Sequence, residues 1–141
     1  MNENNESLWN EELEIILSLN DKDRRWFHTG NCPDNSIGRY ILKDFNDNKI
    51  GFVDILSLMT SRGKSKNIAY VVYAIKENFR GRGYSKTLLE KAINIAKENH
   101  FKELQYWVDN SNLISKKAVQ SSGLFNLKRK LKTEEIYFRK L

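Results

Sequence analysis

Arg80-Gly81-Arg82-Gly83-Tyr84-Ser85 is the stretch of this 141-residue sequence whose residue types and spacing best fit a chemical task, the holding of a phosphate. Gly81 and Gly83 let the backbone approach an anion, while Arg80, Arg82 and Lys86 add attraction at longer range. Two familiar phosphate loops are excluded by spacing. A Walker loop needs Gly-Lys-[Ser/Thr], but Lys86-Thr87 follows Ser85, and Arg80 stands where the other glycine belongs. A dinucleotide fingerprint needs a third glycine where Lys86 stands. What remains is a glycine turn entering a helix, whose free N–H groups would converge on a phosphate. Each such bond to a charged oxygen is worth about 1.5–3 kcal/mol, whereas the helix dipole adds only about 1 kcal/mol. Tyr84 and Ser85 complete that turn. The plain alternative is a turn between solvated cations, which is all that most Gly-x-Gly sequences after a strand are.

The flanking elements must position the turn. Ile68 to Ile75 is almost wholly apolar and rich in β-branched and aromatic side chains, as expected of a strand covered on both faces near the middle of a sheet. After the turn, Leu88, Leu89, Ala92, Ile93, Ile95 and Ala96 mark an amphipathic helix ending near Asn99. Leu104 to Val108 reads as the next strand, so 68–108 forms a βαβ unit with parallel strands. Upstream, 39–42 and 49–56 flank a turn-rich link and read as antiparallel strands. Helices are expected over 8–19 and, briefly, at Arg25-Trp26-Phe27-His28, with 1–7 frayed. Residues 112–122 suit a short helix closed by Gly123, before a terminal strand pair over 124–130 and 133–139. No linker or repeat divides the chain, so one domain over 1–141 is expected.

Composition narrows the function less. The 24 basic and 18 acidic residues are interspersed, and the net charge of +6 suits nucleic acid, an acidic surface or a phosphorylated cofactor equally. Lys128-Arg129-Lys130-Leu131-Lys132 is a short basic run between two strands and reads as a solvated hairpin in preference to a nucleic-acid patch. The single Cys32 permits no intramolecular disulfide and no zinc cluster, and His28 and His100 lack partners in sequence, so no metal is expected. The start carries no leader pattern and no apolar run is long enough to span a membrane, which points to a cytoplasmic protein with neither membrane nor nucleic-acid partner.

Arg80-x-x-Gly83-x-Ser85 resembles the Arg/Gln-x-x-Gly-x-Gly/Ala signature of the GNAT superfamily of N-acetyltransferases. Asn112, with Ser115 three residues on and Gly123 eleven on, resembles its second signature, and the ending Ile136 to Leu141 is typical of it. The resemblance covers 38–141 well. It implies an α/β fold: a mixed sheet of about six to seven strands flanked by about four helices, with one splayed strand pair. It implies acetyl-coenzyme A as donor and an amine-bearing small molecule or peptide as acceptor, with the oligomeric state left open. Residues 80–86 would hold the pyrophosphate, main-chain groups near Tyr73 and Ile75 the pantetheine arm, and Asn112 and Ser115 the thiol end. Asn112 and Ser115 also suit a simple helix cap.

Ser85 departs from the pattern, adding a hydroxyl where a positive φ would be costly. The family's usual base position falls at Ile68-Ala69-Tyr70, and its usual tyrosine on Val119. Alternation places Asp54 among Phe52, Leu56 and Leu58, where a carboxylate has a raised pKa; it is the substitute base, or else a hydrogen-bonded structural Asp. Tyr73 is the candidate phenol. Weak base machinery favours an amine of low pKa over lysine. A noncatalytic acyl-coenzyme A binder remains the alternative.

Overall fold

The computed structural model describes residues 35–43, 46 and 48–141; the helices expected over 8–19 and at Arg25 to His28 lie outside them. Six strands are described: β1 (Ser36–Lys43), β2 (Lys49–Thr60), β3 (Gly63–Ile75), β4 (Glu103–Asp109), β5 (Asn126–Lys130) and β6 (Glu134–Lys140). They form one mixed sheet in the order β1-β2-β3-β4-β6-β5. Helix α1 (Tyr84–Glu98) crosses from β3 to β4, and α2 (Leu113–Ser122) follows β4. Only β3 and β4 run parallel, as a strand–helix–strand crossover requires.

The apolar stripe of α1, Leu88, Leu89, Ala92, Ile93 and Ala96, is buried with Val53, Ile55, Ala69, Val71, Leu104, Tyr106 and Val108. Alternation along each strand therefore assigns Ala69, Val71, Tyr73 and Tyr106 to the helix-covered face, and Tyr70, Val72 and Trp107 to the other. The strand buried on both faces is β2, where every residue from Ile50 to Ser57 is buried. In β3 only Ala69 and Val71 are, and Ile68, Tyr70 and Val72 remain partly exposed. The expectation of a doubly covered β3 is corrected accordingly.

A second difference lies between residues 57 and 67, where β2 and β3 continue into a hairpin turning at Ser61 and Arg62. Met59, Thr60, Lys64, Lys66 and Asn67 are exposed, so this ribbon has no core face and no apolar alternation to announce it. The pairing also slips: Met59 faces Lys64, but Ser57 faces Ala69. Ser65 Oγ accepts the Asn67 and Ile68 N–H groups at 3.2 and 3.0 Å, satisfying donors within the slipped segment.

Beyond α1, Phe101 turns back into the core, its N–H bonded to Ala96 O at 3.0 Å. His100 makes that turn at φ 65, alone among the described non-glycine residues in having positive φ. A left-handed L-residue costs about 1–2 kcal/mol. His100→Gly is therefore expected to raise unfolding stability by about 1 kcal/mol, measured as a higher urea midpoint at unchanged slope.

Candidate active site

The pairing of β3 with β4 runs only through Ile68–Glu103, Ala69–Leu104 and Tyr70–Gln105. Beyond Tyr70 the two strands separate, while β3 stays paired with β2 as far as Ile75. A gap thus opens in the sheet along 71–75, leaving that edge of β3 without a neighbouring strand among the described residues, and it leads to the glycine turn.

At the turn, Gly81 and Gly83 have φ 77 and 82. Nothing lies within 4 Å of where a Cβ would stand at either position. The demand for glycine thus comes from the backbone angle, and among the described residues nothing fills the space a side chain would take. Gly83 is the N-cap of α1; no side chain caps its first turn and no acidic residue stands there. The N–H groups of Tyr84, Ser85 and Lys86 accordingly open α1 with its positive dipole end at the mouth of the gap. Ser85 lies within α1, so the hydroxyl at that position strains nothing. Arg80 Nε donates to Ile75 O at 3.1 Å, tying the turn to the strand end. Arg82 lies 5.5 Å over the Phe79 ring, which meets Tyr84 edge-on at 6.3 Å. Lys86 is exposed on the first turn of α1.

On the helix-covered face, two phenols meet beside the gap. Tyr73 and Tyr106 have ring centroids 5.4 Å apart, and Ser115 on α2 acts on both phenols in the direction that favours their anions. Burial pushes both phenols up, and the neighbouring Tyr106 raises Tyr73 further. Ser115 and Tyr73 act the other way on Tyr106, favouring its anion. Tyr106 is a residue to which the sequence assigned no role beyond its place in the strand over 104–108. The signal was available: continuing the parallel register puts Tyr106 opposite Val71, one alternate position from Tyr73. Ser115 stands one turn before Val119, which is fully buried. The position of α2 is set by Gln120 Nε2, which donates to Tyr137 Oη at 2.9 Å, and by Tyr137, which donates to Glu135 Oε1 at 2.8 Å. Asn112 Oδ1 accepts the Ser115 N–H at 3.1 Å, so Asn112 caps α2.

Asp54 is not brought to this cluster. It pairs across to Val72, while Val53 pairs with Tyr73, so Asp54 and Tyr73 occupy opposite faces. Asp54 is 2% exposed, accepting from Arg39 Nε at 2.6 Å and Ser36 Oγ at 2.8 Å. Burial outweighs both partners and lifts its carboxyl to about 6. The folded chain then holds its proton more tightly than the unfolded chain, whose value is 3.8. Between about pH 4 and 6 the folded state carries more protons, so stability due to Asp54 falls as pH rises, by about 3 kcal/mol in all. Asp54→Asn is expected to remove that slope from urea midpoints measured across this window; an unchanged slope would assign it elsewhere.

Among the described residues, no helix is long and apolar enough to cross a membrane, and no group of His, Cys, Asp and Glu could hold a metal ion.

The model of the acetyltransferase (GNAT) family matches residues 2–123. The chain belongs to this family. Its GNAT fold is shared with solved structures at low identity. A GCN5-related N-acetyltransferase from Kribbella flavida superposes with a TM-score of 0.67 at 18% identity, over 84% of this chain and 77% of that one. The GNAT domain of S. lividans PAT gives 0.66 at 20%, over 87% and 70%. A spermidine N-acetyltransferase variant from Vibrio cholerae gives 0.63 at 14%, over 85% and 74%. At these identities the likeness is one of fold. No curated protein matches the sequence. The GNAT assignment is consistent with the six-stranded mixed sheet, and two of the expected helices are among the described residues.

Proposed function

We propose that this GNAT chain transfers an acetyl group from acetyl-coenzyme A to a primary amine, on a small molecule or a peptide N-terminus, by direct attack. The observation that carries the reading is the gap between β3 and β4 running into an uncapped helix N-terminus at two left-handed glycines. Such an end binds pyrophosphate through main-chain N–H groups, here those of residues 83–86. Arg80, Arg82 and Lys86 add positive charge around it. The unpaired edge of β3 at Tyr73 to Ile75 offers main-chain groups to the amides of a pantetheine arm, as a partner strand would. Ser115, with Asn112 behind it, then flanks the thiol end.

In the transfer step the neutral amine nitrogen attacks the thioester carbonyl, the carbon–sulfur bond breaks, the nitrogen releases a proton to solvent as it becomes an amide, and the thiolate takes one. Tyr73 and Tyr106 are the groups able to supply it. Asp54 is the candidate base only by way of the opposite face, with Val72 between it and the gap. Its carboxylate is already engaged by Arg39. An amine with pKa near 8 costs under about 1 kcal/mol to neutralise near pH 7.5, whereas a lysine near 10.4 costs about 3–5 kcal/mol. The reading therefore favours a low-pKa acceptor.

One observation favours a second reading, a noncatalytic acyl-coenzyme A binder: Ala69 and Val119 fill the family's usual proton-transfer positions and both are fully buried. Thermal-shift titration with acetyl-coenzyme A followed by thiol release against an amine panel separates the two. Stabilisation with turnover is expected; stabilisation without turnover on any amine selects the binder.

A further inference from the structure

The face of the gap away from the helices carries a preoriented aromatic side chain that the transfer chemistry does not use. Cross-strand register sets Asp54 beside Val72 on one side of the gap and Trp107 beside Ile136 on the other. Continuing the parallel register places Trp107 opposite Val72, two residues past the last β3–β4 pair. Trp107 is 38% exposed, whereas Asp54 and Ile136 in the same row are buried.

The indole is held before any ligand arrives. Its Nε1–H donates to Gln105 Oε1 at 2.9 Å, and Gln105 Nε2 donates to Glu103 Oε2 at 2.7 Å. Glu103 is paired with Lys128, whose ammonium lies 5.4 Å from the Phe138 ring. Gln105 is itself buried, so the chain of bonds runs from a buried amide outward to the ring. With its N–H engaged, Trp107 offers a ligand an apolar aromatic surface and no donor.

We infer that Trp107 is the surface on which the acceptor's body packs, and that the acceptor carries a flat, apolar body. The inference rests on the acetyl-transfer reading. Under that reading the donor arm occupies the gap, and the helix-covered side of the gap is filled by α1 and α2 through Leu88, Leu89 and Val119. The amine must then reach the thioester from the other face, past Trp107. An aromatic body gains by stacking on a ring whose orientation is already fixed.

The test uses the full chain labelled with ¹⁵N, with coenzyme A present and three probe amines: 2-phenylethylamine, n-butylamine and spermidine. The indole N–H signal of Trp107, assigned through Trp107→Phe, is expected to shift with 2-phenylethylamine and not with spermidine. In steady-state assays Trp107→Ala is expected to raise the KM for 2-phenylethylamine about tenfold, the loss of one stacking surface, while the KM for acetyl-coenzyme A stays unchanged. Trp107→Phe should recover most of it. A signal unmoved by 2-phenylethylamine while coenzyme A is bound, or spermidine as the preferred acceptor, overturns this inference and leaves the acetyl-transfer reading standing. Failure of coenzyme A to bind at all overturns both.

Discussion

Gly83→Val is expected to weaken acetyl-coenzyme A binding by about 100- to 1000-fold, as measured by titration calorimetry, the loss of roughly two charge-assisted N–H bonds. The reasoning starts from the backbone. Gly83 holds φ 82 at the N-cap of α1, an angle that a β-branched residue resists. Valine would either strain the turn or rotate it back towards negative φ, turning aside the N–H groups that follow. Its side chain would also occupy the space that nothing in the described structure fills. The dipole alone would preserve little affinity, since it contributes only about 1 kcal/mol. Gly63→Val supplies the control. Gly63 has φ 102 in the β2–β3 hairpin, remote from the turn, so it should lose stability from similar strain while binding the cofactor as the parent does. Equal affinity losses at both positions would mean that strain, and not the loss of the phosphate cradle, explains the Gly83 effect. Unchanged affinity in Gly83→Val would remove the turn from the site altogether.

Local signals and long-range ones fared differently. The strand, turn and helix from 68 to 98 were legible because each is encoded by neighbouring residues: an apolar β-branched run, two glycines, and a 3.6-residue stripe. Even the doubt over Ser85 was a local one, settled by its place in the first turn of α1. The relation between Asp54 and Tyr73 was not local. A hairpin continued in register from Thr60–Gly63 would set Asp54 beside Ala69, on the same face as Tyr73. The slip between Met59 and Ser57 sets it beside Val72 instead, because an odd displacement reverses every side chain. Nothing in the polar run Ser57 to Asn67 advertises that slip. Arg39 and Ser36 were likewise hidden as Asp54's partners, since they approach it only through β1–β2 pairing. The raised carboxyl was foreseen from its apolar neighbours; the ion pair that opposes it was not.

Tyr106→Phe is expected to lower kcat by about 100-fold, the lower end of what a positioned proton donor contributes, while the KM for acetyl-coenzyme A changes less than about twofold. Tyr73 and Tyr106 stand together, yet their surroundings differ in the direction that matters. Tyr106 is supported by Ser115 and Tyr73 in its anionic form, whereas Tyr106 itself opposes ionisation of Tyr73. Of the two, Tyr106 can therefore release its proton to a departing thiolate at lower cost, with Tyr73 and Ser115 holding the phenolate until it is reprotonated. Burial keeps the phenol protonated above its ordinary range, so kcat should show no loss of this acid below about pH 10. Tyr73→Phe removes one supporting hydroxyl and should cost less, and the double variant should be little worse than Tyr106→Phe because the two act as one unit. Ser115→Ala takes a supporting hydroxyl from beside both phenols and leaves the α2 cap at Asn112 intact, since the capping bond uses the Ser115 main chain. Its kcat should fall between those of the parent and Tyr106→Phe without loss of stability beyond about 1 kcal/mol. Retention of kcat within about twofold in Tyr106→Phe would return this tyrosine to the core and leave thiolate protonation to solvent.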